Sequence, residues 1–231
     1  MKVILISWTN KPIETIYWAF MNMHNKIPDN LDDIKLSEKE KENFLEMLLI
    51  QPHQTVLEFV NTVWYLDGVS TAFQQQLTRT RAAAYSIQSL RIVNVEEFAD
   101  KKQYVNVNYP LYHETMKVIQ NNYKKLIENG CSVQDARGIL PLNIYSPITM
   151  AINLRALYHM LELRFCENTQ DEFKEVAKCM KKEIKRKIHP LLAKPMQPIC
   201  FKIGKCPSPV PCSKYNFEKI INQDISKWIK G

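Results

Sequence analysis

Three arginines and two serines fall within thirteen residues of the run Gln76-Leu77-Thr78-Arg79-Thr80-Arg81-Ala82-Ala83-Ala84-Tyr85-Ser86-Ile87-Gln88-Ser89-Leu90-Arg91. Arginine's planar fork binds phosphate oxygens two at a time, and serine hydroxyls with loop N–H groups complete such a cradle. The run is therefore a candidate phosphate site, with arginines on an exposed helix end as its plainer reading. A second candidate is Asn153-Leu154-Arg155-Ala156-Leu157-Tyr158-His159-Met160-Leu161-Glu162-Leu163-Arg164. At helical spacing Leu154, Leu157 and Leu161 form one apolar stripe, while Arg155, His159 and Glu162 share another face. Charged groups on so apolar a helix are costly to bury unless they meet a ligand or one another. Taken alone, His159 reads first as a structural histidine.

These residues need elements to hold them. Met1 to Trp8 reads as an opening strand and Ile13 to Met23 as a helix. Ser37 with Glu40 three residues on is a capping box for a helix to about Ile50. The β-rich run from Thr55 to Leu66 predicts a strand that ends at the turn Asp67-Gly68, and a short helix from Ser70 to about Arg79 follows. Lys101 to Asn108 alternates weakly, as a strand does. Pro110 to Glu128 is helical in period and stops at Asn129-Gly130. Val133 to Ile139, Ala151 to Leu163 and Thr169 to Ile188 also suit helices. Six of the twelve prolines lie from Pro190 onward, which predicts an irregular tail ending in an amphipathic helix over Phe217 to Ile229.

At 231 residues and 45% hydrophobic content the chain suits one main domain. We divide it as residues 1–190, the main domain, and 191–231, an extension carrying prolines and cysteines. No stretch reaches the roughly 18 apolar residues of a membrane helix, and the apolar start is too short for a signal peptide. A cytoplasmic protein without a membrane partner is expected. The net charge of +7 fits either a nucleic-acid surface or arginines gathered around phosphorylated ligands. Much of the excess lies in Lys178 to Lys187, a solvated helix face on the plainer reading. The six cysteines argue against a disulfide framework in a reducing compartment. Cys200, Cys206 and Cys212 do not follow the Cys-x2-Cys zinc spacing, so no metal is expected; a site completed by Cys179 or His189 is the weaker alternative.

Taken together, several of these segments resemble the flavin-dependent thymidylate synthases, from about His53 to Glu172. The family's His-x-Thr-x-x-x-Glu element is matched by His53, Thr55 and Glu58. Its Arg-His-Arg signature, followed by seven residues and Ser, is matched by Arg79-Thr80-Arg81 and Ser89, and Arg91 stands at the phosphate-loop arginine. Ala136-Arg137-Gly138-Ile139-Leu140-Pro141 looks like its Ala-Arg-x-x-Leu-Pro segment, and Asn153-Leu154-Arg155-Ala156-Leu157 like its Asn-x-Arg-x-Leu helix. Glu162-Leu163-Arg164, Gln170 and Glu172 continue the pattern.

The resemblance implies an α+β fold, a twisted and mostly antiparallel sheet with packed helices, assembled as a homotetramer with active sites shared between subunits. It implies transfer of the one-carbon unit of methylenetetrahydrofolate to C5 of a pyrimidine nucleotide, dUMP first, with NADPH-reduced FAD supplying hydride and no cysteine nucleophile. FAD contacts fall to His53, Thr55, Glu58, Arg79, Arg81, Asn153, Arg155 and His159. The nucleotide falls to Gln76, Ser89, Arg91, Arg137 and Arg164, with Arg164 and Arg81 as catalytic residues. Folate and nucleotide are then the partners, and nucleic acid is not. Departures cluster in the signature: Thr80 replaces its histidine, Ser86-Ile87 its Asn-Glu pair, Leu90 its glycine and Ile92 its tyrosine. Ile87 removes a charge and two acceptors, and Leu90 disfavours positive φ in the loop. They leave open methylation or hydroxymethylation of dUMP, dCMP or UMP, a non-catalytic flavin- or nucleotide-binding relative, or a basic nucleic-acid-binding module.

Overall fold

The computed structural model describes residues 1–26, 28–51 and 53–212. It combines helices with an antiparallel sheet. Along the chain come β1 (Lys2–Trp8), α1 (Pro12–Met23), α2 (Glu38–Ile50), β2 (Asn61–Asp67), α3 (Thr71–Leu77) and β3 (Ala83–Ile87). They are followed by α4 (Pro110–Glu128), α5 (Val133–Ala136), β4 (Ile148–Asn153), α6 (Leu154–Arg164), α7 (Asp171–Lys187), α8 (Pro190–Ala193) and α9 (Ile199–Ile203). Among the described residues the sheet order is β1-β2-β4-β3.

The chain divides into two compact units, Met1–Ile4 with Trp64–Ala151, and Leu5–Val63 with Ile152–Gly231. In the first unit Val69 O accepts from Ser146 N at 2.8 Å, and in the second Ile152 O accepts from the Thr62 hydroxyl at 2.8 Å. Low numbers of one strand thus meet high numbers of the other, which makes β2 and β4 antiparallel. Strand period 2 is plain in both: Thr62, Trp64 and Leu66 are buried on β2, and Ile148, Met150 and Ile152 on β4. Gly68 ends β2 with φ +68°, and a Cβ there would come within 3.0 Å of the Met1 nitrogen, so the turn has room only for glycine.

In the first unit a core of Phe98, Ala99, Tyr104, Met116 and Ile144 packs under α4. The buried Gln120 carboxamide accepts from the amides of Ala99 and Asp100 at 2.7 and 3.1 Å and donates to the Asp100 carboxylate at 2.6 Å, which satisfies it inside that core. In the second unit α7 buries Phe173, Val176, Ala177, Met180 and Ile184 at helical spacing. Its first turn carries Asp171 and Glu172 and its last Lys185, Arg186 and Lys187, each complementing the helix dipole.

Several expected elements shift. Thr55–Phe59 is a 3-10 turn, and the strand starts only at Asn61. Val56 and Leu57 are buried side by side, a pattern that period 2 cannot produce. The helix expected from Ala151 begins at Leu154: Ile148–Asn153 is strand, and Asn153 then caps the helix, its side-chain oxygen accepting from Ala156 N at 2.9 Å. Lys101 to Asn108 supplies one bridge, Tyr104 to Ile144, instead of a strand. The tail holds α8 and α9, because Pro190 opens α8 at a position whose N–H no helix needs. The helix expected over 217–229 lies outside the described residues.

Candidate functional site

The first unit carries the signature run. Ser70 caps α3, its hydroxyl accepting from Phe73 N at 3.0 Å, and Leu77 buries the last turn. Thr80 N then donates to Leu77 O at 3.0 Å, which closes a turn that bears Arg79 and leads directly into Arg81. Both arginines are exposed. Among the described residues neither side chain makes a hydrogen bond or ion pair. The half-buried Tyr85 on β3 reaches back to this turn, its hydroxyl 2.9 Å from Leu77 O and 2.8 Å from Thr80 O.

Past β3 the chain turns at Ser89, whose carbonyl accepts from the amides of Ile92 and Val93 and whose hydroxyl accepts from Arg91 N at 3.3 Å. The Arg91 guanidinium is held by Gln134, with Nε and Nη2 donating to Oε1 at 2.9 and 2.6 Å. Gln134 is a residue the sequence reading passed over, since a lone exposed glutamine gives no signal. Arg137 stands exposed at the end of α5, again with no side-chain partner among the described residues. Gln76 lies half-buried on α3.

The second unit holds His53, Thr55, Glu58, Asn153, Arg155, His159 and Arg164. His53, Thr55, Glu58, Arg155 and His159 are exposed. Arg155 at the start of α6 donates to the Glu58 carboxylate in an ion pair. Arg155, His159 and Glu162, read as sharing one face of this helix, differ in their surroundings. Glu162 is buried and pairs with Lys202 of α9 at 2.9 Å, while His159 points to solvent. Arg164 ends α6 half-buried, its guanidinium 4.7 Å from the centre of the Phe173 ring. Burial holds its pKa below the usual guanidinium value, and the aromatic face offsets part of that desolvation.

A cavity of about 640 Å³ in the same unit is lined by Trp18, Met23, Leu31, Val56 and Phe59 among others, with Thr15, Asn22 and Thr55 as its polar residues. Among the described residues no group of three or more His, Cys, Asp and Glu side chains is placed to hold a metal ion. No helix of the described residues is long and apolar enough to cross a membrane.

The chain is similar to known proteins over most of its length. The family model described as thymidylate synthase complementing protein matches residues 4–191. The flavin-dependent thymidylate synthase of Pyrococcus furiosus is 33% identical over 219 residues, covering 90% of this chain and 89% of its own. That of Thermococcus onnurineus is 33% identical over 235 residues, covering 95% and 96%. Among solved structures, thymidylate synthase X from Helicobacter pylori with FAD and dUMP superposes with a TM-score of 0.72 at 18% identity, over 85% of this chain and 99% of that one. A UMP/dUMP methylase, PolB from Streptomyces cacaoi bound with 5-Br dUMP, gives a TM-score of 0.67 at 18% identity, over 84% and 93%.

Proposed function

The chain belongs to the thymidylate synthase complementing protein family, and on that premise we propose that it is an FAD-dependent enzyme converting dUMP to dTMP. The one-carbon unit comes from methylenetetrahydrofolate and the reducing equivalents from NADPH. The observation that carries this reading is the turn after α3, where two guanidiniums stand exposed with no carboxylate partner among the described residues. Two like charges two residues apart gain nothing from each other, and they suit an anionic ligand.

The donor set also fits FAD, the cofactor of this reading. Arg79 and Arg81 match a dinucleotide's phosphates, and Thr55, Glu58, Asn153, Arg155, His53 and His159 offer the mixed donors and acceptors its polar parts require. Bound FAD supplies the hydride transfer, which no side chain of the protein can. Arg91, aimed by Gln134, and Ser89 and Arg137 hold the nucleotide phosphate, with Gln76 at the base. Arg164, partly withdrawn from water, stabilises negative charge on the pyrimidine carbonyls as C5 becomes nucleophilic, and Arg81 supports it. Residues 1–190 form the catalytic domain and 191–231 an extension. The enzyme works in the cytoplasm as a homotetramer, with sites shared between subunits.

A second reading is altered C5 chemistry, on UMP or dCMP or ending at the hydroxymethyl stage. Thr80, Ile87, Leu90 and Ile92 favour it, as does the likeness in fold to a UMP/dUMP methylase. The test is anaerobic incubation of the FAD-loaded protein with NADPH, methylenetetrahydrofolate and dUMP, UMP or dCMP, with products read by mass spectrometry. dTMP is the expected product. A hydroxymethyl product, or turnover with UMP or dCMP alone, establishes the second reading, and a protein that binds neither FAD nor nucleotide overturns both.

A further inference from the structure

We infer that Tyr85 is a positioning residue for the anion-binding turn, its hydroxyl tying β3 to the backbone that carries Arg79 and Arg81. The inference rests on the proposed function of that turn. Three observations support it. The Tyr85 hydroxyl lies 2.9 Å from Leu77 O and 2.8 Å from Thr80 O, so it spans the two ends of the turn. Besides this tie, the backbone bond from Thr80 N to Leu77 O at 3.0 Å is what closes the loop. Arg79 lies inside that turn and Arg81 follows it directly, so its backbone geometry sets where both side chains start.

The surroundings suit the role. Ala84 and Ser86 on either side are exposed, whereas Tyr85 shares the half-buried face of β3 with Ala83 and Ile87. Its ring is anchored there while its tip reaches a polar partner, the habitual use of a part-buried tyrosine. Burial pushes its pKa up, with the neighbouring Thr80 hydroxyl offsetting part of the rise. The group therefore stays a neutral donor across the physiological range. Position 80 is where this chain has Thr for the family's histidine, and its backbone carbonyl is one of the two acceptors. The tie sets how rigidly the guanidiniums are presented before any ligand arrives, and pre-organisation of that kind appears as affinity.

Tyr85→Phe removes the hydroxyl and keeps the ring. The apo variant is compared with the apo wild type in FAD titrations followed by flavin absorbance, and the FAD-saturated proteins are compared in dUMP titrations. The Kd for FAD should rise roughly 3- to 10-fold, the range for one lost neutral hydrogen bond, while the Kd for dUMP stays within about twofold because Ser89, Arg91 and Arg137 hold the nucleotide phosphate. Replacing Tyr85 by p-aminophenylalanine, which keeps a donor at the ring tip, should recover most of the FAD affinity. An unchanged FAD Kd in the Phe variant sinks the inference and leaves the proposed function standing. So does an equal loss of FAD and dUMP affinity, the mark of a partly unfolded sample. If the Phe variant does not fold, failure of a folded p-aminophenylalanine variant to bind FAD as the wild type does overturns the idea. A wild type that itself binds no FAD removes the proposed function and this inference with it.

Discussion

On α6 the charged side chains have found protein partners: Arg155 meets Glu58, and Glu162 meets Lys202 at 2.9 Å. On the turn after α3, Arg79 and Arg81 are exposed, and among the described residues their side chains meet nothing. Both regions carry motif residues, so the sequence pattern ranks them alike. What separates them is compensation. A guanidinium already paired must exchange one partner for another when a ligand binds, and its contribution to affinity shrinks accordingly. One facing water without a carboxylate adds the full charge-assisted interaction. The turn is then the main source of ligand affinity, and α6 a mixture of scaffold and site.

The largest expected effect comes from removing both turn arginines. Arg79→Ala with Arg81→Ala should weaken FAD binding by roughly 100- to 10,000-fold, at about 1.5–3 kcal/mol for each charge-assisted bond. The melting temperature should hold or rise slightly, since a repulsion is relieved. A large loss of stability with binding intact would reverse the comparison. Next comes Arg164→Ala, which should lower kcat roughly 100- to 1,000-fold, the scale for one group facing developing negative charge. It should also cost some stability through the lost contact with Phe173. Single-turnover kinetics separate the two effects.

Glu162→Ala sharpens the scaffold side. The buried carboxylate anchors α9 to α6, and its loss should cost about 1–2 kcal/mol in chemical denaturation while leaving dUMP affinity unchanged. Glu58→Gln should cost no more than about 1 kcal/mol, since both partners of its ion pair are over a third exposed. A fall in FAD affinity beyond that amount marks Glu58 as a ligand. The smallest effect concerns His189, where a third device operates and charge is avoided. Burial depresses its pKa despite the pull of Glu38 and Glu42, and its Nδ1 accepts from Leu191 N at 3.2 Å. The neutral ring stabilises the fold above the ordinary imidazole pKa of about 6.5. That contribution fades as pH falls below 6.5 toward the depressed folded value. Melting scans from pH 7.5 to 5 should show it, and His189→Asn, which keeps a cap, should flatten it.

Much of this was legible without coordinates wherever a signal is local. The Ser37–Glu40 capping box forms as read, with Glu40 N to the Ser37 hydroxyl at 3.3 Å and Ser37 N to the Glu40 carboxylate at 2.8 Å. α4 runs from Pro110 to Glu128 and stops at Gly130 in the left-handed region. β3 and β4 escaped notice. β3 lies inside a run whose arginines invited a ligand reading, although Ala83, Tyr85 and Ile87 alternate with exposed neighbours. β4 runs directly into α6, and the Leu154–Leu157–Leu161 stripe drew the predicted helix too far back, past its own cap at Asn153.

By itself the sequence determined the order of the arginines and their spacing, the helix caps, and the apolar stripe of α7. Each depends on atoms within a turn or two of backbone. Only the tertiary structure decided which charges are neutralised and which are left for a ligand. Glu58 finds Arg155 from 97 positions away, Glu162 finds Lys202 from 40, and Arg91 finds Gln134 from 43. No periodicity encodes such pairs, because an ion pair needs only proximity, and proximity between distant segments exists once the sheet and the helices have packed.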